Sequence, residues 1–520
     1  MHQGLSDSMQ IERLRSLFRP ARLVALAAVS MGCNSFIGLN DFEIEEGQSA
    51  GGECETNQQC SNKLGQLAAC VGADKRCVPL LSEDCDTITG DPNDEPAILV
   101  GSLFSTTGAQ ATTNKERQQA AMLAVTQVNL VGGVPTPSGS LRKMVMVSCN
   151  EAANLKRAAE HLVNLGVPAI VGPNTSQDTI DVSRQVTIAN GIVVMTPTAV
   201  ASSIADLSDQ NLTWLMAPND EQRAPLMIRQ INELETRIKA DRAGDVKLSI
   251  VTRGDALGIG TRVSLNQLKL NGRSLSDQFG RTVLVDEYDP TKMDQLAIVD
   301  KHIAFIPDIV VLAGTAEAIT TVMKPLEERW PAGTQRPEYV LIDSVKVPDL
   351  IALATNNDDL RHRARGTGIV PAPESQPVYE LFKQQYQVAF QSGNPNISGM
   401  GPSYDAAYAI AYAIAAIGDA PVSGPAIADA LSRISGGETD IEVGSPDLTE
   451  AFSLLSEGNR IDAIGTFGPL KWDERGAVVG GTLEMWCIGA SGGTPQYRSS
   501  GLTFDLETMV ESGKYVQCAP

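Results

Sequence analysis

GVPAIVGPNTSQDTIDVSRQVTIANGIVVMTPTA, residues 166–199, holds two β-branched runs, AIVG (169–172) and IVVMT (192–196), around a segment that opens as a helix near Ser176. A strand, a helix and a strand in turn make a parallel pair with the helix covering one face. Upstream, ILVGSLF (98–104) reads as a buried strand. The helix after it places Ala121, Ala124, Val125 and Val128 on one face and stops at Gly132-Gly133. MVMV (144–147) is the next strand, and its helix carries Leu155, Ala158, Ala159 and Leu162 before ending at Gly166.

Downstream, the same alternation restarts after Met216-Ala217-Pro218. KLSIVT (247–252), TVLVD (282–286), DIVVLAG (308–314) and YVLID (339–343) are strands separated by helical stretches. After Gly366 come helices near 376–391, 403–418 and 424–434, then a β-rich end near 461–489. Strict alternation means parallel sheets covered on both faces, and two such runs mean two doubly wound lobes.

The 520 residues suit about three domains, or one two-lobed unit with an appendage. Hydrophobic residues make up 42% and charged residues 20%, which supplies a large core and excludes global disorder. The formal charge of −21 argues against nucleic acid, whose phosphates recruit Lys and Arg. The four histidines, His2, His161, His302 and His362, are far apart, which disfavours a His-rich metal site.

The first thirty residues read as a targeting segment. Arg13, Arg15, Arg19 and Arg22 precede the apolar run LVALAAVSM (23–31), which is far short of the roughly 20 residues a membrane helix needs. Ser30-Met31-Gly32-Cys33 resembles a bacterial lipobox, with Cys33 the lipidated residue. An ordinary signal peptide is the plainer alternative, but no other cleavage site nearby fits as well.

Removing Cys33 from nine cysteines leaves an even eight. Five cluster at Cys54, Cys60, Cys70, Cys77 and Cys85. An odd cluster must recruit one outside partner if all pair, and Cys149 is the candidate, leaving Cys487 with Cys518. The CxxC spacing of structural zinc is absent, so disulfides of an oxidising compartment are preferred. Residues 34–53 are acidic and without periodicity, as a tether is, and residues 54–85 are too few to fold without staples.

No GxSxG elbow, P-loop, HExxH or GxGxxG after a strand occurs, and no nucleophile–base pair stands out, so nothing favours an enzyme or calls for a cofactor. Open parallel sheets bind ligands beyond the carboxyl ends of their strands. Three loops of the first lobe occupy that position: Ser105-Thr106-Thr107-Gly108, Asn174-Thr175-Ser176 and Thr196-Pro197-Thr198-Ala199. Their hydroxyls suit a carboxylate or another small polar group. Taken alone, Ser176 reads as an ordinary helix N-cap; three such loops at strand ends favour a pocket.

The chain from Ala97 to about Ala490 resembles a type I periplasmic binding protein of the leucine/isoleucine/valine-binding class. The resemblance rests on the STTG loop, AMLAVTQVNLVGGV (121–134), GVPAIVGPNTS (166–176), GIVVMTPTA (191–199), the Tyr404-Asp405-Ala406 helix and GTFGPLKWDERG (465–476). It implies three crossing segments between the lobes, near 217–220, 366–371 and 459–464, with a ligand enclosed as the lobes close. Ser176, Thr198 and Ala199 match the positions that hold an amino acid's carboxylate in that family. Asp343 falls near the position of an acidic partner for the ligand's ammonium. Leu257, beside Asp255, replaces the aromatic residue common in that turn.

The expected architecture is therefore α/β: two doubly wound parallel-sheet lobes preceded by a Cys-rich module. The expected boundaries are 1–32 signal peptide, 33–53 tether, 54–90 Cys-rich module, 97–218 with 366–460 first lobe, 219–365 with 461–495 second lobe, and 496–520 tail. The candidate ligand residues are Ser105, Thr106, Ser176, Thr198, Ala199, Asp255, Thr315 and Asp343. The resemblance implies a lipid-anchored receptor in the cell envelope, facing the periplasm, that delivers an amino-acid-like solute to an ABC permease. The alternative is an envelope sensor or assembly lipoprotein, which the Cys-rich insert favours because transport needs no such module.

Overall fold

A computed structural model describes residues 52–108, 110–491 and 493–518. Two sheets organise it, one of seven strands and one of eight. In the first, the strands Ala97–Phe104, Leu141–Asn150, Ala169–Val171, Val193–Thr196 and Thr213–Leu215 run parallel. In the second, Leu248–Arg253, Val283–Tyr288, Ile309–Ala313, Glu338–Leu341 and Ala364–Val370 do so. Each sheet with its covering helices is one lobe, and the fold is α/β.

The first lobe is built around the helix Met400–Ile417, buried over nearly its whole length. A helix that is apolar all round has no solvent face to present, so it is buried on every side. Tyr404 and Tyr408 each donate a hydroxyl to Oε1 of Gln127 over 2.7 Å, which satisfies these two of the polar groups carried into the core.

The Cys-rich module is a helix, Asn57–Leu64, on a hairpin of Ala68–Val71 and Arg76–Pro79, stapled by Cys54–Cys70 and Cys60–Cys77. Its last part departs from the 54–90 boundary. Cys85–Thr89 is an edge strand of the first sheet, antiparallel to Leu141–Asn150, and Cys85 bonds to Cys149. The remaining pair is Cys487–Cys518, so the expected partners of Cys149 and Cys487 are those found.

Other boundaries also shift. The 496–520 segment is no tail: Thr494–Asp505 and Val510–Gly513 extend the second sheet antiparallel to Thr482–Ser491. Ser491 pairs with Thr494, and from there the ladder runs antiparallel, which makes that end of the sheet antiparallel. The chain passes between the sheets at 216–219, 371–375 and 465–481. Residues 364–370, at the expected start of the first lobe's return, belong to the second sheet, because Ala364–Gly366 pair with Tyr339–Leu341 and Arg365–Val370 pair with Thr482–Cys487. The third passage is later than expected because Asp462–Ile464 pairs with Asp440–Glu442, and Ile461, Ala463 and Leu470 stay in the first core.

Candidate functional site

The candidate residues sit where parallel strands end. Ser105 and Thr106 follow Ala97–Phe104, Ser176 follows Ala169–Val171, and Thr198 and Ala199 follow Val193–Thr196. In the second lobe, Asp255 follows Leu248–Arg253, Thr315 follows Ile309–Ala313, and Asp343 follows Glu338–Leu341.

The first face is one connected network. Ser105 donates its hydroxyl to Glu151 over 3.1 Å and accepts at its carbonyl from Asn114 Nδ2 at 3.1 Å. Asn114 Oδ1 in turn accepts from Asn174 Nδ2 at 2.8 Å and from Arg117 at 3.1 Å. Thr198 gives its hydroxyl proton to the Asn174 carbonyl over 2.8 Å. The Thr106 N–H is held by Asn150 Oδ1 at 3.1 Å, and the Ala199 N–H reaches Thr196 Oγ1 at 3.4 Å.

Ser176 is used differently from the N-cap its position suggests. Thr175 caps the helix Ser176–Val182, accepting from the Asp178 N–H at 3.1 Å. The Ser176 hydroxyl, buried beneath the next loop, accepts from the Val200 and Ala201 N–H groups, each at 3.1 Å. Both lone pairs are thereby occupied and the hydroxyl hydrogen is left to donate.

Arg253 gathers the second face. Its guanidinium reaches Asp255 at 2.6 Å, Glu317 at 3.2 Å and Thr315 Oγ1 at 3.3 Å, and Tyr288 donates to Glu317 over 2.9 Å. Asp255 also caps the helix Ala256–Ser264. Asp343 stands apart, ion-paired with buried Arg223. The charge of Asp343 is therefore already matched, which removes it as a free counter-ion for an ammonium group.

The faces meet. A Cβ added to Gly260 would lie 3.4 Å from Cα of Ala201 in the first lobe, and Ala256 packs on that lobe's Ile180–Ile204 cluster. Charge crosses the same gap. Burial pulls the Arg117 guanidinium down to about 10, and Asp343 of the opposite lobe opposes the fall. Burial and the repulsion of Asp178 push Glu151 up to about 8. Asp178 is itself raised, chiefly by burial, while Arg253 across the gap works the other way. Burial also lifts Asp220 to about 8, with Arg223 opposing. Burial works against the charge of Glu317, but Thr315 and Arg253 outweigh it and hold that carboxylate below its ordinary range.

Arg117, Glu151, Asp178, Arg223 and Arg253 were not singled out by the sequence. None lies in a motif, and each takes its meaning from a partner that only the fold brings near. Among the described residues, the one group placed to ligate a metal is Cys54, Cys60 and Cys70, whose sulfurs are spent in disulfides. No described helix is long and apolar enough to cross a membrane. Cys33 and the targeting segment lie outside the described residues.

Residues 97–441 match a family model described as "Periplasmic binding protein". No curated protein is significantly similar in sequence. Among solved structures, the branched-chain amino acid transporter substrate binding protein LivJ from Streptococcus pneumoniae, in complex with isoleucine, is 17% identical. That match has a TM-score of 0.55 and covers 78% of this chain and 99% of LivJ. The leucine binding protein LivK from Thermotoga maritima is 14% identical with a TM-score of 0.55, over 77% of this chain and 98% of its own. A solute binding protein of an ABC transporter from Rhodopseudomonas palustris, in complex with p-hydroxybenzoic acid, is 15% identical. Its TM-score is 0.58, over 79% of this chain and 97% of that one.

Proposed function

The chain belongs to the periplasmic binding protein family, and from that premise we propose that it captures a small carboxylate-bearing solute between its lobes. The observation that carries this reading is the Ser176 hydroxyl, which accepts two backbone N–H groups and so has its hydrogen left to donate. A carboxylate oxygen is such an acceptor, and a hydrogen bond to a charged group is a strong one. Isoleucine, leucine and p-hydroxybenzoate, named for or bound to the neighbouring structures, share a carboxylate and little else. An amino-acid-like solute fits because Glu151 and Asp178, both raised chiefly by burial and by neighbouring acids, would gain from an ammonium group.

The solute would be handed to an ABC permease, with the protein held in the cell envelope by lipid on Cys33 and facing the periplasm. No part of this reading involves nucleic acid or catalysis. The test is mass spectrometry of solute carried through native purification, followed by calorimetry with that solute, isoleucine and p-hydroxybenzoate. Binding of a carboxylate that Ser176→Ala weakens supports the assignment; binding that ignores the substitution refutes it.

The sensor reading has one observation in its favour. The Cys-rich module is stapled to the first lobe by Cys85–Cys149 and by Arg157 on Asp84 at 2.5 Å. A partner docked on the module would therefore report on the first lobe alone. A neighbouring permease and ATPase reading frame favours transport; their absence favours the sensor.

A further inference from the structure

Asp405 is the one charged side chain on the buried helix Met400–Ile417, and it is 3% exposed. Its Oδ2 accepts from the Thr466 N–H at 2.9 Å and from the Thr466 hydroxyl at 2.7 Å. Its Oδ1 is buried with no hydrogen-bond partner among the described residues. Thr466 lies on the third crossing, so one carboxylate ties that crossing to the rigid helix of the first lobe. The fit is close: a Cβ added to Gly465 would stand 2.8 Å from Asp405 Oδ2.

The same carboxyl lines a cavity of about 20 Å³ between the lobes. Met216 and Pro218 come to it from the first crossing, Ile369 from the strand leading into the second, and Phe467 and Gly480 from the third. Its size suits a single water molecule. Any rotation of one lobe on the other is absorbed by backbone torsions at the crossings, so this junction must change shape when the lobes part.

An ionised carboxylate with an unfilled oxygen is costly in such a place, and the neutral acid much less so. Burial raises Asp405 to about 7, with the Thr466 bonds opposing. Among the described residues, no charged side chain faces it. On its own helix Tyr404 and Tyr412 feel its charge, and burial keeps both protonated. On the third crossing Lys471 is engaged by Glu507 at 2.7 Å, and Arg475 by Asp206, Glu221 and Asp473 at 3.3–3.6 Å. Neither lines the cavity, and nor does Glu474; in the strand before the second crossing, Arg365 is held by Glu338 at 2.8 Å. Asp220 and Glu221, just past the first crossing, lie outside the lining as well.

We propose that Asp405 makes the hinge proton-linked: protonation favours the closed arrangement, and ionisation draws water into the junction and favours the open one. The sign follows from burial. In this structure the two faces touch, with Gly260 against Ala201, and Asp405 is 3% exposed. This closed arrangement holds the proton more tightly than one whose crossings have opened to water, so closing takes up a proton and compactness grows as pH falls through neutrality.

Small-angle scattering of the purified full chain, without added solute, tests this between about pH 5.5 and about pH 8.5. The wild-type radius of gyration should rise with pH around a midpoint near neutrality. Asp405→Asn, which removes the titration at nearly constant shape, should stay at the compact value throughout. Thr466→Val removes one bond that steadies the charge and should move the midpoint to higher pH; it serves as the readout if Asp405→Asn fails to fold. A wild-type radius independent of pH, an Asp405→Asn curve that follows the wild type, or an unmoved Thr466→Val midpoint would each overturn the proposal. With any co-purified solute first dialysed away and none added, the result is separate from the fate of the cleft assignment.

Discussion

Cys85 and Cys149 face each other across an antiparallel pair of strands and are joined by a disulfide 64 residues apart in sequence. The bond pins the edge strand Cys85–Thr89, and with it the whole N-terminal module, to the sheet that carries Ser105 and Ser176. A crosslink over so long a loop restricts the unfolded chain strongly, a contribution of about 2–4 kcal/mol. Cys85→Ala with Cys149→Ala should lower stability by about that amount in denaturant titration while leaving the second lobe's hydrogen exchange unchanged. Equal loosening of both lobes would contradict it.

The strands that form the two sheets are readable because buried parallel strands appear as unbroken β-branched runs, as AIVG (169–172) and DIVVLAG (308–314) do. Thr494–Asp505 escaped notice for the opposite reason. Its outer end has one solvated face, so buried Leu502 and Phe504 alternate with Gly501, Thr503 and Asp505, and a bulge breaks the register with the first half of the strand. Parity required one outside partner for the five clustered cysteines, with Cys149 the candidate; the Cys54–Cys70 and Cys60–Cys77 pairs inside the cluster leave no such trace. The cleft is legible only as strand ends. Nothing local reveals that the Thr198 proton is committed to Asn174, or that Arg223, 120 residues from Asp343, cancels its charge. Long-range pairing of single charged residues leaves no periodic trace.

Glu151 supplies a pH prediction. Its carboxyl is held near 8 in the folded protein, whereas an unfolded glutamate titrates near about 4.3. Below the unfolded value both states are protonated and nothing is lost. As pH rises toward 8 the unfolded state ionises first, so stability falls, and it levels off above the folded value. Glu151→Gln removes this slope and keeps an acceptor for Ser105. The variant should therefore gain on the wild type by on the order of a few kcal/mol between about pH 5 and pH 8. Urea midpoints measured across that range decide it: a gap that does not grow with pH rejects the assignment.

The lipid anchor is testable without reference to the fold. SMGC (30–33), behind a basic region and a short apolar run, motivates Cys33→Ala. The variant should leave the membrane fraction while its melting profile stays that of the wild type. Complete retention on membranes would rule out lipidation at this cysteine.

Ser176 and Thr198 separate a ligand contact from a structural one. In Ser176→Ala the Val200 and Ala201 N–H groups lose their shared acceptor, which should cost about 1–3 kcal/mol of stability. The helix cap is untouched, because Thr175 provides it. If the free hydroxyl hydrogen also meets a solute carboxylate, affinity should fall a further ten- to hundred-fold, about 1.5–3 kcal/mol. Thr198→Val removes a hydroxyl whose proton already belongs to Asn174, so its effect on binding should be smaller, carried through the position of the Asn174 loop. Calorimetry with the co-purified solute, run beside thermal melts of both variants, distinguishes the two contributions. Ser176→Ala should lose affinity beyond what its lower stability explains, and Thr198→Val should not. Equal losses in both would place the carboxylate elsewhere in the cleft, with the guanidiniums of Arg117 and Arg253 the next groups to remove.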